Sequence, residues 1–367
     1  MKNKIKVLSI VLFLSIFMML ISCGKQETEW KGIIEEENGV IVVKNPQEPI
    51  YGEDVFFIEE ELSFGDDEVD EDYMFSDVSH ITVDNDGRIY VLDRRESHVK
   101  LFDQDGKYVR TIGRKGQGPG ELINPIFVYF PKNELLVTQF GRLSFFSPEG
   151  EFLRVVIMKK DSPSRTRCDS RGNIIGTSSV FDPETPYYAL KKYDSEIEPI
   201  KELVRIKIQR RPGVINLFSP NIYMTVDDED NIIFGYSKDY ELQIFNPEGD
   251  LTKKIIKEYD PVEITEEEKE EATQGAPPQL KFEFSKYHPA FLRFVHDEIG
   301  RLYVQSYEKG EGNNVYYHDV FDRDGRYIAK VQLRQYPVIF RNGKLYSLEE
   351  NEDGYQVIKR YKVTWKY

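Results

Sequence analysis

Three groups of residues in this 367-residue chain have types and spacings that could do chemistry. The first is TIGRKGQGPGEL, residues 111–122, with glycines at 113, 116, 118 and 120. Such a loop can cradle a phosphate, but a cradle needs a helix N-terminus behind the glycines. Here the strand-like run Ile126 to Phe130 follows, and no lysine follows the last glycine, so the loop is expected to turn a corner. The second group is the histidines: His80, His98, His288, His296 and His318. None forms HExxH. His288, His296 and His318 are weak metal candidates whose spacing fits no compact zinc motif, and the expectation is no metal and no cofactor. The third group is cationic and aromatic: Arg94, Arg95, Arg114, Arg142, Arg165, Arg167 and Lys238, with Tyr187, Tyr188 and Tyr236 nearby. Lys115, Arg210, Arg211 and Tyr240 extend it. Arginines beside aromatic rings suit an anionic saccharide, a phosphate or an acidic protein segment. Turns such as DNDG, DQDG and DRDG carry calcium-ligand residue types but lack the longer ligand series and the distal Glu. No GxSxG is present, no Ser–His–Asp set can be assigned, and catalytic residues stay unassigned.

The elements that must position these residues begin after a leader. Lys2, Lys4 and Lys6 precede the apolar run Val7 to Ile21, which is short for a membrane span and suited to a signal peptide over residues 1–22. It ends in Leu20-Ile21-Ser22-Cys23, which resembles the lipobox of bacterial lipoproteins. The resemblance implies that Cys23 becomes the lipidated first residue, holding the protein to a membrane through acyl chains such as palmitate. No Asp follows Cys23, which by the same resemblance disfavours inner-membrane retention and favours the outer membrane. The formal charge is −15, and loss of the three leader lysines makes it more negative. An acidic, exported chain is a poor binder of nucleic acid. With Cys23 lipidated, Cys168 is left alone and an internal disulfide is excluded; it reads as a buried small hydrophobe.

Internal repeats decide the fold. HITVDNDGRIYVLDRRESHVKLFDQDGKYVRTIG, residues 80–113, reads as four strands with tight turns between the first and last pairs. The plan returns at 125–158, 167–206, 223–259, 292–333 and 337–365, where the last unit is one strand short. DVFFIEEELSF, Asp54 to Phe64, alternates like a strand and is expected to complete that unit. The expectation is an all-β, six-bladed β-propeller of four-stranded blades, closed by an N-terminal strand. The boundaries are 23–52 for the lipidated Cys, tether and a small hairpin around Asn38-Gly39, and 53–367 for the propeller, with an insertion at about 260–290. That insertion opens with a capping box at Thr265 and Glu268 and suits a lid, a partner hook or a solvated excursion.

ITVDNDGRIYVLD, VKLFDQDGKYVRTIG and GQGPGEL together resemble the NHL repeat, and most nearly the exported six-bladed propeller lipoproteins of Gram-negative bacteria. The resemblance implies a fold and a compartment; the family's activities range from ligand and protein binding to occasional enzymes. In a propeller the turns joining strands one to two and three to four share one face. Here those turns are acidic, and the cationic group above is expected in the loops of the opposite face. The function expected is a lipid-anchored envelope protein that binds a saccharide-like, anionic ligand or an envelope protein partner. The alternatives are a lyase or hydrolase with its site at the channel mouth, and a non-catalytic assembly scaffold.

Overall fold

The structure, a computed structural model, describes residues 29–66, 70–131, 133–158, 162–180, 185–207, 213–335 and 338–367. Cys23, Arg210 and Arg211 lie outside the described residues.

The chain opens with β1 (Ile33–Glu37), β2 (Val40–Asn45) and β3 (Phe56–Phe64). Blade one is β4 (Val78–Val83), β5 (Ile89–Asp93), β6 (His98–Phe102) and β7 (Tyr108–Ile112); blade two is β8 (Pro125–Tyr129), β9 (Leu135–Gln139), β10 (Arg142–Phe146) and β11 (Phe152–Ile157). Blade three is β12 (Ser164–Cys168), β13 (Ile174–Val180), β14 (Tyr187–Tyr193) and β15 (Pro199–Lys207). After β16 (Val214–Asn216) comes blade four: β17 (Ile222–Val226), β18 (Ile232–Tyr236), β19 (Glu241–Phe245) and β20 (Leu251–Lys257). Helix α1 (Glu266–Thr273) and β21 (Lys281–Glu283) precede blade five, β22 (Arg293–His296), β23 (Leu302–Lys309), β24 (Val315–Phe321) and β25 (Tyr327–Arg334). Blade six is β26 (Val338–Arg341), β27 (Lys344–Glu350) and β28 (Gln356–Trp365), completed by β3, which pairs antiparallel with β28 from Ile358↔Phe64 to Trp365↔Phe56.

The result is a six-bladed β-propeller with an N-terminal closing strand. Strands two of the blades are buried on both sides, and β5 and β9 are buried at every position. This is why they read as apolar runs rather than alternations. The core is a ring of seams between neighbouring blades. Tyr90, Leu92, Val99 and Leu101 of blade one meet Val128, Leu135, Val137 and Phe146 of blade two. Phe64, Tyr346 and Ile358 of blade six meet Ile81, Ile89 and Phe102 of blade one, so the closing strand seals the last seam. The strands that close the ring lie between Phe56 and Trp365, and the Lys366 amide donates to the Val55 carbonyl just beyond them.

The hairpin β1–β2 turns at Asn38-Gly39 and joins the propeller rather than standing apart. β2 pairs parallel with β20, and blade four becomes a six-stranded sheet. From there the chain crosses to blade five, where the Ile50 and Tyr51 amides donate to the Tyr327 and Ile328 carbonyls, before reaching blade six as β3. The N-terminal segment is thus a belt over three blades. Asn45 stitches it: its Nδ2 donates to Gly325 O (2.9 Å) and Ile256 O (3.2 Å), and its Oδ1 accepts from Tyr327 N at 2.7 Å.

The acidic turns hold their own backbone. Asp103 Oδ1 accepts from the amides of Asp105 and Lys107, each at 2.9 Å, and Asp84 Oδ1 accepts from Asp86 and Arg88 at 3.0 and 2.9 Å. These carboxylates are structural acceptors, as turn-forming Asp residues are. In the insertion, Thr265 caps α1: its Oγ1 accepts from Glu268 N, and the Glu268 carboxylate accepts from Thr265 N at 2.9 Å. Glu266, Glu267 and Glu268 in the first turn oppose the positive end of the helix dipole. No residue of α1 is buried.

Candidate functional site

The first strands of the six blades line an axial channel. At its end beside the strand one-to-two turns the channel opens into a cavity of about 350 Å³. Its lining includes His80 and Thr82 from β4, Tyr129 from β8, Arg167 and Cys168 from β12, His296 from β22 and Arg341 from β26, with Asp227, Asp228 and Asp230 at the rim. Arg341 is neutralised by Asp228 (Nη1–Oδ1 3.0 Å).

Arg167 lies deeper. Its guanidinium stacks 3.9 Å from the centroid of the Tyr129 ring, and Nη1 donates to the Thr166 carbonyl at 3.1 Å. Among the described residues it meets no carboxylate. The Tyr129 hydroxyl is buried and has no hydrogen-bond partner among the described residues. Burial pushes that phenol up to about 12. His80 packs edge-on against Phe127 and Tyr129, with centroids 5.3 and 5.2 Å away. Burial, then the positive charge of Arg167, pushes its imidazole down to about 3. At this depth the site is one positive charge, Arg167, beside the neutral Tyr129 and His80, with the Asp227, Asp228 and Asp230 carboxylates at the rim. Such a set can hold an anionic or hydroxyl-rich ligand by charge-assisted and neutral hydrogen bonds. Cys168 lines the same cavity, buried, its thiol pushed up to about 12 chiefly by burial, which suits packing and not nucleophilic attack.

The structure sorts the other candidates. Arg142, Arg165 and Arg167 are strand residues and not loop residues, and for the last two the reason is that the inner strand β12 begins at Ser164, earlier than the turn pattern suggested; Tyr187, Tyr188 and Tyr236 lie at strand ends. Arg94 pairs with Asp77 at 2.8 Å, and Arg114 with Glu121 at 2.8 Å. Arg142 Nη1 donates to Gln117 O at 3.3 Å. Arg95 and Lys238 are exposed in the turns after strands two. Tyr187 lies under the Arg205 guanidinium at 4.1 Å, while Tyr188 and Tyr236 pack onto the seam between blades three and four.

His288, His296 and His318 are not brought together. His296 lines the axial cavity, His318 Nδ1 lies 3.0 Å from the Tyr316 carbonyl, and His288 stacks on Tyr307 (4.2 Å) with its Nε2 3.3 Å from Glu268 of α1. Burial pushes His318 down to about 4, and burial lowers His288 against the pull of Glu268. Among the described residues no cluster of three His, Cys, Asp or Glu side chains is placed to hold a metal.

The glycine loop turns the corner between β7 and β8 and fills its own nest. Gly118 N donates to Glu121 Oε2 at 2.9 Å and Arg114 Nε to Glu121 Oε1 at 3.0 Å. A Cβ at Gly116 would sit 2.1 Å from that carboxylate, so a side chain there would push the Glu121 carboxylate out of the nest. The Glu121 carboxylate occupies the place a phosphate would take, and the Gly118 amide and Arg114 hold its pKa low.

Sequence reasoning missed Tyr129, His80 as a cavity residue, and Arg341. A signal existed: each lies on a first strand, within four residues of the turn to strand two.

Fold and cavity define a six-bladed propeller with an axial cavity. The chain belongs to the family DUF5128, described as a 6-bladed β-propeller, which matches residues 60–355. No curated protein matches it. Among solved structures it is similar to a protein from Bacteroides fragilis designated exported, with 12% identity over 89% of this chain and 100% of the other and a TM-score of 0.56. It is also similar to a DUF4221 family member from Bacteroides vulgatus, with 12% identity over 86% of this chain and 100% of the other and a TM-score of 0.51. At this identity the likeness is one of fold.

Proposed function

We propose that this protein is a lipid-anchored binding protein of the cell envelope, tethered at Cys23 to the outer membrane, that takes a saccharide-like anionic ligand in the axial cavity. One observation carries the reading: Arg167, with no carboxylate partner among the described residues, sits on Tyr129, whose buried hydroxyl is also without a partner there. A buried polar group left unsatisfied costs about 1–3 kcal/mol, and a ligand oxygen placed against it removes that cost. The cavity volume, about 350 Å³, suits one or two sugar rings. The anchor rests on the leader and on Ser22-Cys23.

The test is a thermal-shift panel of uronic acids, neutral hexoses and phosphate on residues 24–367. The reading requires stabilisation by an acidic sugar above that by its neutral counterpart; a flat panel refutes it. Labelling of cells with a palmitate analogue tests the anchor, with Cys23→Ala expected to abolish the label.

A catalytic reading has one observation in its favour, the closeness of His80 to Tyr129. Their proton affinities oppose it. Burial keeps both neutral at pH 7 and far from the poise of an efficient acid or base. A lyase would release an unsaturated product from a uronate polymer, visible by ultraviolet absorbance; the binding reading expects none.

A further inference from the structure

On the face opposite the axial cavity, a cleft of about 420 Å³ opens between blades two and three. Ile126, Phe127, Phe140, Leu143 and Pro163 give it apolar walls, and Arg165 stands at one side. Phe140, at the tip of the β9–β10 turn, is 87% exposed, and Ile126 is also exposed. An aromatic ring left in water at the edge of an apolar hollow is what a hydrophobic ligand would cover.

Arg165 supplies the polar end. It sits on a β-bulge, where the β12–β13 register shifts between Ser164 and Arg167, in a left-handed conformation (φ 51°). Bulges of this kind re-aim a side chain. Its Nη1 donates to Asn221 Oδ1 at 2.8 Å and Ile222 O at 2.7 Å, which fixes the guanidinium plane. Nε and Nη2 have no partner among the described residues, and no carboxylate there reaches it. A guanidinium held still with one edge unused is the geometry for a planar anion.

We propose that this cleft is a second site, for a single-chain amphiphile with a carboxylate head: the chain lies along the apolar walls beneath Phe140 and the carboxylate meets the unused edge of Arg165. The site is independent of the axial cavity.

Isothermal titration of residues 24–367 tests it, with dodecanoate below its micelle concentration, dodecyl maltoside as the same chain with a neutral head, and acetate as the head alone. The expected result is saturable micromolar binding of dodecanoate, at least tenfold weaker binding of dodecyl maltoside, and no heat from acetate. Phe140→Ser and Ile126→Ser, both at exposed positions, should each weaken dodecanoate binding at least fivefold while melting normally. Arg165→Gln should bring the two amphiphiles within twofold of each other. No saturable dodecanoate binding, equal affinity for both heads in the unsubstituted protein, or unchanged affinity in Phe140→Ser and Ile126→Ser would overturn the proposal.

Discussion

The Arg167 guanidinium lies 3.9 Å from the centroid of the Tyr129 ring, and the hydroxyl of that ring is buried without a partner among the described residues. The two requirements of the site, a charge to attract and an unmet hydroxyl to orient, therefore sit on one stacked pair from adjacent blades. Tyr129→Phe separates fold from function. It removes an unsatisfied buried group and keeps the ring under Arg167, so stability should stay level or rise by up to about 1 kcal/mol. Ligand affinity should drop about tenfold. A drop in melting temperature with affinity intact would mean that the hydroxyl serves the fold.

Stability should fall as the pH is lowered below neutrality, before the carboxylates titrate. His80 and His318 are buried and held neutral in the folded protein, pushed to about 3 and about 4 from an ordinary 6.5. Between pH 6.5 and 4 the unfolded chain binds protons that the folded chain refuses. Each histidine then removes about 1.4 kcal/mol of stability per pH unit. This stabilisation is fully present above pH 6.5 and is lost on the way down. Urea unfolding at pH 7, 6 and 5 measures the slope, which His318→Asn should reduce by about one proton. Equal slopes would show that His318 titrates normally.

Lys192 and Asp169 form a buried pair within blade three, 2.7 Å apart, with Lys192 also donating to Pro247 O of blade four. Burial alone would raise the Asp169 carboxyl, and the bonds from Lys192 and Asn173 outweigh it and hold it low. Lys192→Met leaves a buried carboxylate without its cation and should cost about 3–5 kcal/mol. The double variant Lys192→Met, Asp169→Asn should recover part of that loss. Chemical denaturation of the three proteins decides it, and a mild single variant would argue that water reaches the pair.

Asn45 holds the N-terminal belt to blades four and five. Asn45→Ala leaves the Tyr327 amide and the Gly325 carbonyl without their side-chain partner and should cost about 2–4 kcal/mol. Hydrogen exchange should show the loss first in β1 and β2, with the inner strands protected. Uniform loss across all blades would mean that the belt and the ring unfold as one unit.

The architecture was legible because a propeller repeats local events. Turns such as DNDG and DQDG carry acceptors for their own amides, and the strand count at the C-terminus demanded a partner, which β3 supplies at Ile358↔Phe64. The glycine loop was legible too, since no helix follows it. The site was not. Arg94 and Arg114 look like free charge in the sequence, but Asp77 and Glu121 neutralise them. Arg167 was placed in a loop because the register of β12 depends on a bulge that no turn residue marks. The cavity draws on the inner strands of six blades, so its members lie far apart in sequence. For the same reason the joining of β2 to β20, a parallel pairing of Ile41 with Lys253, left no local trace.

The measurement that bears most directly on the axial site is a calorimetric titration of residues 24–367 with an acidic sugar such as galacturonate, in parallel with galactose and with the Arg167→Met variant. The account predicts saturable binding of the acid, at least tenfold weaker binding of the neutral sugar, and loss of that preference in Arg167→Met, with the fold intact by circular dichroism. Equal binding of both sugars, or a preference for the acid that survives in Arg167→Met, would contradict it.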